Sequence, residues 1–203
     1  MTIVTDLAEL EAIYGKPSKA ATVKVATYIT PEYRAWIESS NFCALATVGP
    51  EGVDASPRGD IGKVVFELDE RTLAMPDRRG NNRMDSLRNI VCDGRVALML
   101  LTKGSSTVTR VNGRGQVSVA PDLLERFTVK GQPPRSVVLI HIDEVYFQCA
   151  RAVMRAGLWD VDSWPDISTL PSAGQILKAQ TAGEMDAVAY DKEWPERATK
   201  LMW

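Results

Sequence analysis

The chain has 203 residues, 45% hydrophobic and 25% charged, with a formal net charge of −2. That length suits one compact domain, or one domain with an added arm, and the balance allows a buried core. Bulk nucleic-acid binding needs a basic excess to displace counterions and is not expected. No stretch approaches the ~20 apolar residues that cross a bilayer. The opening MTIVTDLAELEAIYG has acids and no basic residue, so it does not read as a secretory signal, and the expected location is the cytoplasm.

Helices come first. Asp6 can cap a helix running to Tyr14, with Glu9 three residues on and Gly15 as its stop. Residues 16–25 read as an irregular link. Thr30, Pro31 and Glu32 form a second start signal, for a helix ending near Ser40. The middle is mostly strand: 43–48 and 53–58 as one hairpin across Gly49-Pro50-Glu51-Gly52, then 63–68 and 72–75 as another across Asp69-Glu70-Arg71. A polar basic loop, Asp77-Arg78-Arg79-Gly80-Asn81-Asn82-Arg83, feeds a short helix with Met84, Leu87, Ile90 and Val91 at helical spacing. Strands are predicted again at 95–102, 106–111, 114–119 and 137–149, the second and third joined by a tight turn at Asn112-Gly113. A short helix follows at 150–157. The tail carries Trp159, Trp164, Trp194 and Trp203, a density that predicts packing on the barrel or on a second subunit.

About seven short strands, with one helix inserted after the fourth, predict a mainly β fold: a small antiparallel barrel with peripheral helices. The cysteines Cys43, Cys92 and Cys149 are widely spaced without a CxxC, and His141 is the one histidine, so no zinc site is expected and the thiols read as buried and reduced. His141 reads as one side chain on the polar face of a strand.

P-loop, GxGxxG, GxSxG and HExxH motifs are absent from the sequence. With one histidine, chemistry is expected to come from a cofactor. The basic loop leads into a helix N-terminus, whose free N–H groups and positive dipole end suit an anion. Its arginines match phosphate oxygens, and Arg58 at the end of a nearby strand can join them; a solvated loop with a capped helix is the plain alternative. Arg110 and Arg114 flank Asn112-Gly113. Arg151 and Arg155 share a helical face, with Trp159 just beyond; an aromatic phosphorylated ligand or a carboxylate such as Asp160 or Asp162 would each pair them.

From about Phe42 to Trp159 the sequence resembles the pyridoxamine 5′-phosphate oxidase-like FMN-binding family, closest to a bacterial branch of uncertain substrate. The matching stretches are residues 55–60 (ASPRGD), 72–89 (TLAMPDRRGNNRMDSLRN), 110–115 (RVNGRG) and 149–159 (CARAVMRAGLW). The resemblance implies a six-stranded antiparallel split β-barrel that forms a homodimer, with FMN in clefts between subunits. It implies a helical arm at 1–40 packing on the barrel, the barrel at 41–160, and a Trp-rich tail at 161–203 packing on the barrel or the partner. Arg58 matches the strand-end arginine that reaches the flavin phosphate. Met75, Pro76 and Asp77 match the strand along the ring, while Asn82, Arg83 and Ser86 fall at further phosphate and ribityl contacts. Arg151, Arg155 and Trp159 would come from near the second subunit's cleft, and Arg110 or Arg155 would stabilise the reduced flavin.

True pyridoxamine-phosphate oxidases cover the ring with an Arg/His-bearing segment near the C-terminus. This chain ends Ala198-Thr199-Lys200-Leu201-Met202-Trp203, so pyridoxamine phosphate is not the expected substrate. Nothing in the sequence points to a deazaflavin over FMN. The expected function is an FMN-dependent oxidoreductase acting on a small or planar substrate, with NAD(P)H as a candidate donor. The rivals are a flavin-binding or storage protein without turnover, in which the tail from Trp159 to Trp203 would plug the pocket over the ring rather than line it, and a structural barrel with an empty cleft.

Overall fold

The structure, a computed structural model, describes residues 3–200 and 202. The predicted start signals work as read. Helix α1 (Leu7–Tyr14) is capped by the Asp6 carboxylate, which accepts from the Ala8 N–H, and it stops at Gly15, whose φ of 69° a side chain would resist. The presumed link holds a short helix α2 (Lys19–Val23), capped by Ser18. Neither α1 nor α2 buries a residue. Helix α3 (Pro31–Glu38), capped by Thr30, does bury Ile37. The forked Arg34 guanidinium clips it to Glu67, at 2.6 and 2.8 Å. Just before α3, Ala26 exchanges two backbone hydrogen bonds with Val145, which ties the arm to the sheet.

Seven strands are found among the described residues: β1 (Phe42–Gly49), β2 (Gly52–Gly59), β3 (Phe66–Asp69), β4 (Thr72–Asp77), β5 (Arg95–Leu101), β6 (Val108–Ser118) and β7 (Ser136–Gln148). They form one antiparallel sheet in the order β2-β1-β5-β6-β7-β4-β3. The six strands implied by the resemblance are thus corrected to seven, the short edge strand β3 pairing with β4. The ladder does not close into a full barrel, because β2 and β3 end the order without pairing to each other. Helix α4 (Asp85–Cys92) follows β4, as predicted. Ile90 and the half-buried Leu87 face the core, but Val91 and Met84 are exposed, so that helical stripe is narrower than its spacing suggested.

The larger error concerns Asn112-Gly113. The two strands predicted around it are one continuous strand, β6, paired with β5 on one side and β7 on the other. What the dipeptide marks is a bulge: Asn112 faces Glu144 and Gly113 faces Ile142, leaving Asp143 without a partner in the ladder. A Cβ on Gly113 would lie 2.0 Å from the His141 carbonyl oxygen, so the glycine permits a close backbone approach rather than a turn. The extra residue shifts the alternation of β7, and both Ile142 and Val145 enter the core beside Val138 and Ile140.

The main core lies on the concave face of the sheet, where Leu45, Leu73, Leu98, Leu100 and Val111 meet Ile37 and Ile90. A second cluster, Ala74, Phe127 and Val137, lies on the opposite face of β4 and β7 under helix α5 (Pro121–Arg126). Sequence reading missed α5; Pro121 at its first position was the available signal. Beyond β7 come α6 (Arg151–Arg155), two 3-10 turns, α7 (Ala173–Gln180) and α8 (Ala187–Lys200). Ser172 and Gln175 form a capping box that starts α7, and α7 packs on α8. No helix among the described residues is long and apolar enough to cross a membrane.

The thiols differ from expectation. Cys43 is buried, whereas Cys92 and Cys149 are exposed because their strand or helix ends at the surface. Burial pushes the Cys43 thiol up to about 12, opposed by the neighbouring Arg58 charge. The Arg151 N–H draws Cys149 below the ordinary thiol value, with smaller help from Gln148, Arg151 and Lys24. A thiol-titrating disulfide reagent at neutral pH is therefore expected to modify two thiols in the native protein, Cys149 faster than Cys92. Cys43 reacts only after denaturation. Three fast thiols would contradict this burial.

Candidate functional site

The sheet curls until the end of β2 meets the end of β4, across the seam where the ladder does not close. Two ion pairs bridge that seam. Arg58 on β2 holds Asp77 on β4 at 2.5 Å, and Arg78 holds Asp60 at 2.9 Å while also donating to the Phe127 carbonyl. Both pairs are largely sheltered from solvent. Beside them opens a cleft of about 680 Å³, floored by Pro57, Val64, Met75 and Pro76 and rimmed by the loop 77–84.

Five arginines line the cleft, Arg58, Arg78, Arg79, Arg83 and Arg135, against two aspartates, Asp60 and Asp77. The loop is shaped by its own polar residues. The Asn81 side chain accepts from the Arg83 N–H, and Asn82 sits at a φ of 63°, a left-handed conformation asparagine tolerates. Arg135, at the foot of β7, donates to the Asn82 side chain at 2.7 Å and anchors the loop from outside. Arg83 is exposed and paired with Asp85.

Two observations suit the cleft to an anion. The Arg58 Nε–H is buried with no hydrogen-bond partner, the only such side-chain atom among the described residues. A buried donor without an acceptor is costly, and an incoming oxyanion would satisfy it. The cap position of helix α4 is Met84, which itself lines the cleft and, like every other side chain, makes no cap hydrogen bond there. Its first-turn N–H groups thus keep their capacity for an anion. Among the cleft-lining residues there is no His, Cys, Lys, Tyr or Glu, and both aspartates are held in ion pairs. Such a site can clamp a phosphate and wall an apolar body. It has no evident general acid or base of its own.

Of the residues singled out from sequence, Arg58, Met75, Pro76, Asp77, Asn82 and Arg83 converge on this cleft. Ser86 is buried and donates to Asp54, outside the lining. Arg110 stands off the cleft, its guanidinium 5.1 Å from the centre of the Tyr146 ring. Arg151 and Arg155 are exposed on α6. The Trp159 indole donates to the Ser105 carbonyl at 2.7 Å. These four residues do not line the cleft of their own chain. Sequence reading missed Arg135, whose one signal was a cation just before a strand; of the tail expected to line or plug the pocket, Trp194 on α8 does line the cleft. Within the single chain Trp164 and Trp194 are half-exposed, and Trp203 lies outside the described residues.

Solved structures of similar proteins include group A Streptococcus HupZ, at 16% identity over 59% of this chain and 93% of that chain, with a TM-score of 0.48. A Lactobacillus delbrueckii protein provisionally named a pyridoxamine 5′-phosphate oxidase is 25% identical over 60% of this chain and 95% of that one, with a TM-score of 0.46. An FMN-binding protein from Syntrophomonas wolfei is 15% identical over 57% and 80%, with a TM-score of 0.42. No curated protein sequence matches the chain. The sequence profile described as pyridoxamine 5′-phosphate oxidase matches residues 29–149, a span that includes every strand and all but one of the cleft-lining residues, and the chain therefore belongs to the pyridoxamine 5′-phosphate oxidase family.

Proposed function

We propose that the chain binds FMN in the arginine-lined cleft and works as an FMN-dependent oxidoreductase on a small or planar substrate. The observation that carries this reading is the buried, unpartnered Arg58 Nε–H beside the uncapped start of α4. Arg58, Arg83 and the first-turn N–H groups of α4 would hold the phosphate, and Asn82 would bind the polar chain next to it. Met75, Pro76 and Asp77 would wall the ring; Pro76, lacking an N–H, offers only its carbonyl there. Bound FMN supplies two-electron hydride exchange at its N5, which suits a cleft whose titratable side chains are arginines and ion-paired aspartates. The arginines stay charged throughout and favour the anionic, reduced form of the ring.

The convex face of β1 and β5 favours assembly as a homodimer. Phe42, Ala44, Ala46, Ala97 and Met99 form an apolar stripe there, with Phe42 and Met99 exposed. A dimer would place Arg110, Arg151, Arg155 and Trp159 where a partner's cleft can use them. Within this reading the barrel at 41–160 is the cofactor-binding unit, flanked by the arm and the tail, in a cytoplasmic protein. A flavin carrier without turnover is the second reading, favoured by Trp194 standing in the cleft wall.

The test is the visible spectrum of the purified protein after FMN is added and the sample is desalted. Retained flavin bands are expected, in a particle of twice the chain mass by sedimentation. A colourless protein would refute the cofactor. Bleaching by NADH or NADPH, followed by recovery on adding an acceptor, would select the enzyme over the carrier.

A further inference from the structure

The cleft wall includes one residue from far along the chain. Trp194, on α8, lines it together with residues drawn from between Ser56 and Leu87 and with Arg135 and Ser136. Trp194 is 51% exposed, so apolar ring surface is left uncovered by its own chain. The ring is nonetheless held in place. Tyr190, Trp194 and Arg197 follow one another along one face of α8. The Tyr190 and Trp194 rings stack at 6.2 Å with an interplanar angle of 10°, and the Arg197 guanidinium lies 4.8 Å from the Tyr190 ring centre and 5.4 Å from that of Trp194.

The helix that carries this ladder is itself braced. A Cβ on Gly174 would come within 2.4 Å of the Ala187 carbonyl oxygen, so α7 and α8 touch backbone to backbone. Asp191, three residues before Trp194, accepts from the Ser172 hydroxyl and from the Gly174 N–H at 2.9 Å. The two helices therefore present Trp194 as one preformed unit.

Resting on the flavin reading above, we infer that α8 closes the cleft from within the same chain, and that Trp194 is the wall on which the ligand's flat ring stacks. The arginines take the phosphate end and Trp194 the aromatic end. The combination selects a phosphorylated, planar aromatic ligand over a phosphorylated sugar, and it makes Trp194 a positioning residue.

FMN titrated into flavin-free protein, with flavin fluorescence recorded, tests this. The wild type is expected to bind and quench the flavin. Trp194→Ala is expected to weaken binding about tenfold, the order of one aromatic stacking contact, and to restore much of the bound flavin's emission. Trp194→Phe keeps a stacking face and is expected to recover affinity to within about threefold of wild type while the quenching stays reduced. Wild-type affinity and quenching in Trp194→Ala would overturn the inference and leave the cofactor reading standing. A wild type that binds no FMN would overturn both.

Discussion

Arg58→Ala is expected to raise the Kd for FMN about a hundredfold while the protein stays folded. Two physical losses combine. The variant removes a largely sheltered guanidinium whose buried Nε–H lacks an acceptor and whose Nη1 is already committed to Asp77. It also strips Asp77, a sheltered carboxylate, of its counterion beside the place where a phosphate would bind. Removing one member of a buried charge pair costs about 2–5 kcal/mol in comparable interfaces, and each 1.4 kcal/mol is a factor of ten in Kd. Arg58→Lys keeps the charge but loses the planar fork, so it should fall between wild type and alanine. Arg58→Ala combined with Asp77→Asn relieves the stranded carboxylate, and any affinity regained measures the repulsive part. The exposed, Asp85-paired Arg83 should matter far less on substitution, roughly fivefold. Isothermal titration at two salt concentrations is the measurement. An unchanged Kd in Arg58→Ala would remove the phosphate clamp from this end of the cleft.

The contrast between those two arginines shows what sequence could convey. The run from Asp77 to Arg83 advertises an anion-binding loop through arginine, glycine and asparagine before a helix, all local signals. Which of its cations is free to work is a tertiary matter. Arg78 looks like Arg58 in sequence, yet it is spent on Asp60 and on the Phe127 carbonyl of a helix that sequence reading did not find. Arg135 and Trp194 reach the cleft only because the sheet curls and the tail folds back, and no short window encodes either event. Strand identity was legible where short apolar runs stand between turn residues, as in β1 and β5. Asn112-Gly113 misled because its local preference for a turn competes with ladders on both flanks of β6, and those non-local hydrogen bonds prevail.

Gly113 also carries the largest stability effect expected from a single added methyl group. Gly113→Ala places a Cβ 2.0 Å from the His141 carbonyl oxygen, 3.0 Å from its carbon and 3.3 Å from the Ile142 Cα. All three neighbours are backbone atoms of β7, so no side chain can swing aside. The strands must separate, and the hydrogen bonds around the bulge stretch with them. The cost is expected at about 3 kcal/mol, the upper end for overpacking, or a Tm roughly 10 °C lower for a chain of this size. A hairpin turn at the same dipeptide predicts something different. There the glycine would be needed for its backbone angles, and alanine would cost about 1 kcal/mol. Urea denaturation of Gly113→Ala against Asn112→Ala, whose side chain reaches only the surface Glu144, separates the two. A loss near 1 kcal/mol would argue against the bulge. A loss near 3 would also explain why β7 can serve both halves of the sheet. The unpaired Asp143 resets its alternation, so that Ile142 and Val145 both face the core, and the strand that starts beside Arg135 at the cleft continues past the bulge to brace Ala26 of the arm.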